Sequence, residues 1–195
     1  LQSTCNREGL NVASNIELHP LEVADQAGIR SLADSLAGRP IDLLLLNAGV
    51  MPPRAQNLGE LDQADFIHAM NVNVVSPALM IQAFRPHLAA SERKTIIGLS
   101  SILGSIAGNT DGGLYSYRAS KAGLNAVLKS AANDLGGDGI TVVAMHPGWV
   151  QTDMGGEGAT ITPSVSISGM RKVIDGLTAE DSGRFLVYDG SELPW

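Results

Sequence analysis

Tyr117 and Lys121 stand four residues apart in YSYRASK, residues 115–121, a spacing that puts two side chains on one face of a helix. A lysine ammonium near a phenol favours the phenolate and lowers the phenol's pKa. A tyrosine tuned in that way can give a proton to a carbonyl oxygen or take one from an alcohol. Tyr115 would pair with Ala119 instead, so Tyr117 is the one placed for chemistry. The competing account of the same spacing is a helix-start tyrosine beside a solvated lysine.

The surrounding chain shows what must position this pair. Four short apolar runs stand out: IDLLLLNAG (41–49), TIIGLSS (95–101), ITVVAMHPG (140–148) and RFLVYDG (184–190). Continuous apolar character over strand length suits strands covered on both faces, as in parallel sheets. Helical patterns lie between them. Residues 25–37 carry Ile29, Leu32, Ala33 and Leu36 on one face, and residues 62–88 read as a long, mostly apolar helical stretch in which Pro77 is a candidate for an early break or kink. Residues 118–135 place Ala122, Leu124, Val127, Leu128, Ala131 and Leu135 at helical spacing. Strands alternating with helices predict one α/β domain, a doubly wound parallel sheet.

Ligands of such sheets bind beyond the carboxyl ends of the strands. Asn47-Ala48-Gly49, Ser100-Ser101 and His146-Pro147-Gly148 fall there, and the tyrosine–lysine helix follows the Ser100-Ser101 strand. Strand alternation brings one serine of the pair to the rim, and Ser101 is the one expected to donate to a substrate oxygen; simple capping is the alternative for either. Asn73 is polar within an apolar helix, where asparagine is unfavourable. It holds a water, frees a backbone group, or makes a plain core hydrogen bond. His146 precedes Pro147 without a triad partner and reads as packing. Gly155–Gly158 and the segment to Ser168 read as a substrate lid, or else a plain surface loop.

Composition narrows the partners. The chain of 195 residues has a formal net charge of −7, so it has no basic surplus for a nucleic-acid backbone. Its apolar runs are too short to span a bilayer. The lone Cys5 allows no internal disulfide, so a reducing, cytoplasmic setting is the expectation. The histidines show no metal-ligand spacing.

NAG at 47–49, VN at 72–73, SS at 100–101, YRASK at 117–121 and PG at 147–148 occur in the order of the short-chain dehydrogenase/reductase family. The likeness runs over essentially the whole chain. SSILGSIAGNTDGGLYSYRASKAGLN and HPGWVQTDMGG resemble the family's carbonyl-reductase branch. The resemblance implies one NAD(P)-binding Rossmann-type domain over residues 1–195 and reduction of a small aldehyde or ketone. Tyr117 would be general acid in reduction and general base in oxidation. Lys121 would lower its pKa and hold the nicotinamide ribose, Ser101 would polarise the substrate carbonyl, and Asn73 would hold a relay water. Asn47, Ala48 and Gly49 would line the adenosine side of the cofactor, with Glu22 and Val23 at the adenine ring. Pro147, Gly148, Val150 and the Thr152 hydroxyl would hold its carboxamide and pyrophosphate end.

The family's glycine-rich phosphate turn after a first strand is not present in these residues, and LQSTCNREGL (1–10) resembles the end of its second strand. The expectation is an N-terminally incomplete chain, lacking roughly 25–35 residues, the size of a strand–turn–helix unit. Because that first strand would be central, its loss would be expected to leave sheet fragments with open edges. Arg7, which can accept a 2′-phosphate, favours NADPH over NAD, with Glu8 beside it. The helices at 62–88 and 118–135 are where relatives often dimerise, so a homodimer is one expectation and cover of the sheet the other. The competing function is a non-catalytic binding or signalling protein on the same fold. An epimerase or dehydratase usually needs a larger C-terminal substrate region.

Overall fold

The structure, a computed structural model, describes residues 16–52 and 56–195. Its centre is a parallel sheet of four strands in the order β1-β2-β3-β4: β1 Leu43–Leu46, β2 Thr95–Leu99, β3 Thr141–His146 and β4 Phe185–Val187. The register sets Leu44 beside Ile96, Ile96 beside Val142, and Ala144 beside Phe185. Alternate residues therefore serve opposite faces. Leu44, Leu46, Ile96, Val142, Ala144 and Phe185 pack on one side. Ile97, Val143, Met145 and Leu186 pack on the other.

Among the described residues five α-helices surround the sheet: α1 Gln26–Ser35, α2 Gln63–Met70, α3 Ser76–Ala89, α4 Tyr115–Leu135 and α5 Pro163–Asp175. The first face is covered by Ala33 of α1, Ile81, Phe84 and Leu88 of α3, and Leu124, Leu128, Ala132 and Leu135 of α4. The second is covered by Ile174 of α5, with Met170 and Val173 packed beside it. Helices on both faces make the fold α/β and doubly wound, in agreement with the apolar runs.

Two local expectations need correction. The long helix does not break at Pro77. Residues Asn71–Val75 form a π turn between α2 and α3, and Pro77 lies in the first turn of α3, where its missing N–H costs little. Strand cover is also uneven. Strands β2 and β3 are buried on both faces, whereas β1 alternates and leaves Leu45 45% exposed. Among the described residues β1 is an edge of the sheet. The four described strands form one sheet with β1 at its open edge, and residues 1–10, where the other expected fragment would begin, lie outside the described residues.

Where α4 crosses the sheet its approach is set by Gly98 of β2. A Cβ added there would lie 2.4 Å from Cδ1 of Leu128, which is itself only 1% exposed. Overpacking of this kind costs about 1–3 kcal/mol. Gly98→Ala is expected to lower the urea midpoint accordingly, and the loss should shrink when Leu128→Ala makes room. Additive losses in that double-mutant cycle would contradict the contact.

Candidate active site

Tyr117 and Lys121 lie on the sheet-facing side of α4, both buried, whereas Tyr115 is 37% exposed. The i, i+4 spacing thus brings the second tyrosine and the lysine together. The Lys121 ammonium sits 5.7 Å from the centre of the Tyr117 ring, and its Nζ donates to the Leu99 carbonyl at 2.8 Å. The helix can come so close because the turn Ile102–Gly104 packs on it through Gly104. A Cβ there would be 2.9 Å from Cβ of Lys121.

Ser101 begins that turn in extended backbone, and its hydroxyl accepts from Leu103 N at 3.2 Å. It also lies near enough to the Tyr117 phenol to pull its pKa down. Ser100 faces away from that pair, donating to Asn125 Oδ1 at 2.5 Å, and Asn125 in turn donates to the Gly104 carbonyl. Alternation along the strand end therefore separates the serines as expected.

Asn73 lies inside the π turn and is fully buried. Its Oδ1 accepts from Val50 N at 2.8 Å, and its Nδ2 donates to Val50 O at 2.8 Å and to Ser120 Oγ at 2.9 Å. Ser120 passes the chain on to the Tyr117 carbonyl. Of the alternatives open from sequence, the side chain makes the core hydrogen bonds. With both amide protons so engaged, its side chain has none left to donate to a relay water.

Electrostatics differ from the expectation in one respect. Burial raises the Tyr117 phenol above its usual range, and Ser101 pulls it partly back. Burial, not the lysine, sets the direction. Burial lowers Lys121 to about 8. Desolvation penalises both charged forms, phenolate and ammonium alike.

The groups predicted to face a dinucleotide are spread along the same rim. Asn47 and Ala48 are exposed beyond the end of β1. Gly49 runs close under Lys121 and Asn73: an added Cβ would be 3.3 Å from Lys121 Nζ and 3.4 Å from Asn73 Oδ1. A side chain there would fill that cradle, so the donor set and the room fit a cofactor laid along 47–50. Glu22 is exposed and turns its carboxylate onto Ala24 N, while Val23 is half-buried in the turn before α1. Gly148 has φ +85°, and Pro147 before it and Val150 after it are tied down, Pro147 O by Ser166 Oγ at 2.6 Å and Val150 by a bridge to Ile161. Thr152 is exposed, its hydroxyl accepting from Gly155 N. Arg7 lies outside the described residues, as does Glu8.

The expected lid is shorter than predicted. Thr162 caps α5, so the stretch from Pro163 to Ser168 is helix, and only the turns before it remain loop. Trp149 is pinned within them, its indole N–H donating to the Gly155 carbonyl at 2.8 Å. Sequence reasoning missed Gln56 altogether. It is buried in a loop with no periodic pattern, yet it meets both Ser116 and Tyr117.

Comparisons with known proteins place this arrangement. A family model described as enoyl-(acyl carrier protein) reductase matches residues 5–181. The C-signal protein of Myxococcus xanthus is 43% identical over 167 residues, covering 86% of this chain and 100% of that protein. The carbonyl reductase Sniffer of D. melanogaster superposes with a TM-score of 0.89 at 32% identity, over 100% of this chain and 82% of its own. An NADPH-bound carbonyl reductase from chicken fatty liver does so with a TM-score of 0.87 at 34% identity, over 100% and 81%. The parallel sheet with a tyrosine–lysine rim is that of a nucleotide-dependent oxidoreductase. The chain belongs to the short-chain dehydrogenase/reductase family, on its carbonyl-reductase branch.

His146 ends β3 close by. Its Nδ1 is buried without a hydrogen-bond partner, and burial pushes the imidazole down to about 4 against the attraction of Asp189. The unfolded chain takes up that proton near the ordinary 6.5, the fold only near 4. Stability from neutral burial is therefore complete above about 6.5 and is lost as pH falls towards 4. The urea midpoint should decline over that window and decline less in His146→Gln. Parallel curves for the two proteins would contradict the assignment.

Proposed function

We propose that this protein, as a single domain over residues 1–195, reduces a small aldehyde or ketone with NADPH, Tyr117 acting as general acid. The observation that carries the reading is the burial of the Tyr117 phenol with the Lys121 ammonium 5.7 Å from its ring centre and Ser101 close enough to act on its pKa. A carbonyl oxygen placed between those two hydroxyls would accept from both. When bound, NADPH supplies the hydride for the carbonyl carbon. Tyr117 gives its proton to the oxygen as negative charge develops there, and Ser101 polarises and orients that oxygen. A phenol raised by burial is protonated at neutral pH, which is the form an acid needs. Lys121 holds its cation near the resulting phenolate, and Asn73 keeps Val50 and Ser120 in place behind it.

NADPH is preferred to NAD on two grounds: Arg7, which the family resemblance would put at the end of that family's second strand, and the NADPH carried by the chicken enzyme. Asn47, Ala48, Gly49, Val50, Pro147, Gly148, Val150 and Thr152 would hold it, with Glu22 and Val23 near the adenine. No described helix is long and apolar enough to cross a membrane, and a cytoplasmic setting is proposed from cysteine usage. Exposed Leu61, Ile67 and Val75 beside α2 and α3 support a homodimer.

A second reading, a signalling protein on this fold, is favoured by the 43% identity to C-signal over all of that protein's length. NADPH binding separates the two. Fluorescence titration with NADPH should saturate, and NADPH oxidation should follow on adding para-nitrobenzaldehyde; absence of both would favour signalling.

Tyr117→Phe should lower turnover roughly 100- to 10,000-fold while the NADPH titration is unchanged. Near-normal turnover in that variant would refute the role of Tyr117. In the parent protein the rate of reduction should be level through neutral pH and fall above about 8, as Lys121 loses its proton. A rate still level well above that pH would remove Lys121 from the mechanism.

A further inference from the structure

Helix α4 begins badly by itself. Gly112, Gly113 and Leu114 have φ of +66°, +64° and +48° in succession, and Leu114 at the cap position offers no side-chain acceptor. A left-handed leucine is strained and persists only where its surroundings hold it. The first N–H groups of a helix also need acceptors from elsewhere.

Gln56 supplies them across some sixty residues of chain. Its backbone carbonyl accepts from Tyr115 N at 3.0 Å. Its side-chain Oε1 accepts from Ser116 Oγ at 2.6 Å and from Tyr117 N at 3.0 Å. Its Nε2 donates to the Pro52 carbonyl at 3.1 Å. The amide orientation follows from the partners, since a backbone N–H can only donate and therefore faces the oxygen. Gln56 is 6% exposed and Ser116 3% exposed, so water does not substitute for these bonds.

The same loop is tied at its other end to Asn73 through Val50. One short segment thus touches the catalytic helix twice, at Ser120 by way of Asn73 and at Tyr117 by way of Gln56. The first tie lies behind Lys121 and the second at the tyrosine's own peptide group.

We infer that Gln56 is a positioning residue for Tyr117, its buried carboxamide capping α4 from another loop and so fixing where the phenol stands relative to Ser101. The inference rests on the role proposed above for Tyr117. Gln56 reaches neither the phenol oxygen nor the lysine ammonium; it acts through the backbone of the residue that does the chemistry.

The test compares the parent protein with Gln56→Met, which keeps the volume and removes the acceptor, and Gln56→Glu, which restores an acceptor oxygen. Amide hydrogen exchange over residues 114–121 should quicken about tenfold in Q56M and return towards the parent in Q56E. With NADPH and para-nitrobenzaldehyde, kcat should fall about tenfold in Q56M, as for a small misplacement of a reacting group. The KM for NADPH should stay within about twofold. The alkaline fall in rate should move to higher pH as Lys121 gains water, and Q56E should recover most of both effects. Should Q56M not fold, Ser116→Ala carries the comparison, with a smaller rise in exchange and a smaller fall in kcat.

Unchanged exchange over 114–121 in the folded variant overturns the inference whatever happens to catalysis. Parent-like kcat and pH profile in Q56M, beside an inactive Tyr117→Phe, overturn it while leaving the role of Tyr117 intact. An active Tyr117→Phe removes that role, and the inference falls with it.

Discussion

The site depends on the buried carboxamide of Asn73. Its side chain hydrogen-bonds the loop after β1 on one side and α4 on the other, through Val50 and Ser120. All three of these bonds are short and within the interior, where an unmade partner would cost about 1–3 kcal/mol. The π turn around Asn73 is the backbone form that goes with this. It widens the helix by one residue, and Ser76 closes the wider ring with its N–H and hydroxyl both on the Asn71 carbonyl. Single turns of this kind tend to occur at functional sites. Here the turn faces Gly123 of α4, where an added Cβ would be 3.0 Å from Val74.

From that clamp outward the rim assembles in layers. Gly104 lets the Ile102–Gly104 turn rest on Lys121, which carries Ser101 to the phenol. Gly49 lets the loop after β1 pass beneath the lysine ammonium. At Gly104 the opposing atoms are helix backbone, which cannot move aside, whereas at Gly49 the lysine ammonium and the Asn73 carboxamide would have to give by a few tenths of an ångström. Packing sets the distances, and the distances set the chemistry.

Much of this was legible in the sequence, for reasons that differ from residue to residue. Apolar runs ending in Asn, Ser or His mark the strands, since burial on both faces removes the polar alternation of an exposed sheet. Tyr117 and Lys121 were legible from helix geometry alone, and Asn73 from being polar where the pattern asks for an apolar group. The π turn was not legible: Pro77 is the visible breaker, yet its ring fits the first turn of α3 and disturbs nothing. Gln56 was invisible for another reason. Its partners are about sixty positions away, and a glutamine in a loop has no period to violate. The sign of the phenol's shift also escaped, because spacing reveals the neighbouring charge and not the depth of burial.

That last point bears on how the pair works. Burial raises the tyrosine and lowers the lysine to about 8, so the two groups are pushed towards neutrality by one cause. A proton donor benefits from the first effect and a cation from the reverse of the second. Greater burial would leave a reluctant acid beside an uncharged amine. Greater exposure would restore the ammonium but screen its field and loosen the phenol. The Leu99 carbonyl favours the protonated lysine at a depth where solvent cannot, and Ser101 opposes the rise of the phenol. The Leu99 bond thus helps the lysine keep its proton near neutral pH, while burial keeps the phenol protonated and Ser101 limits how reluctant an acid it becomes.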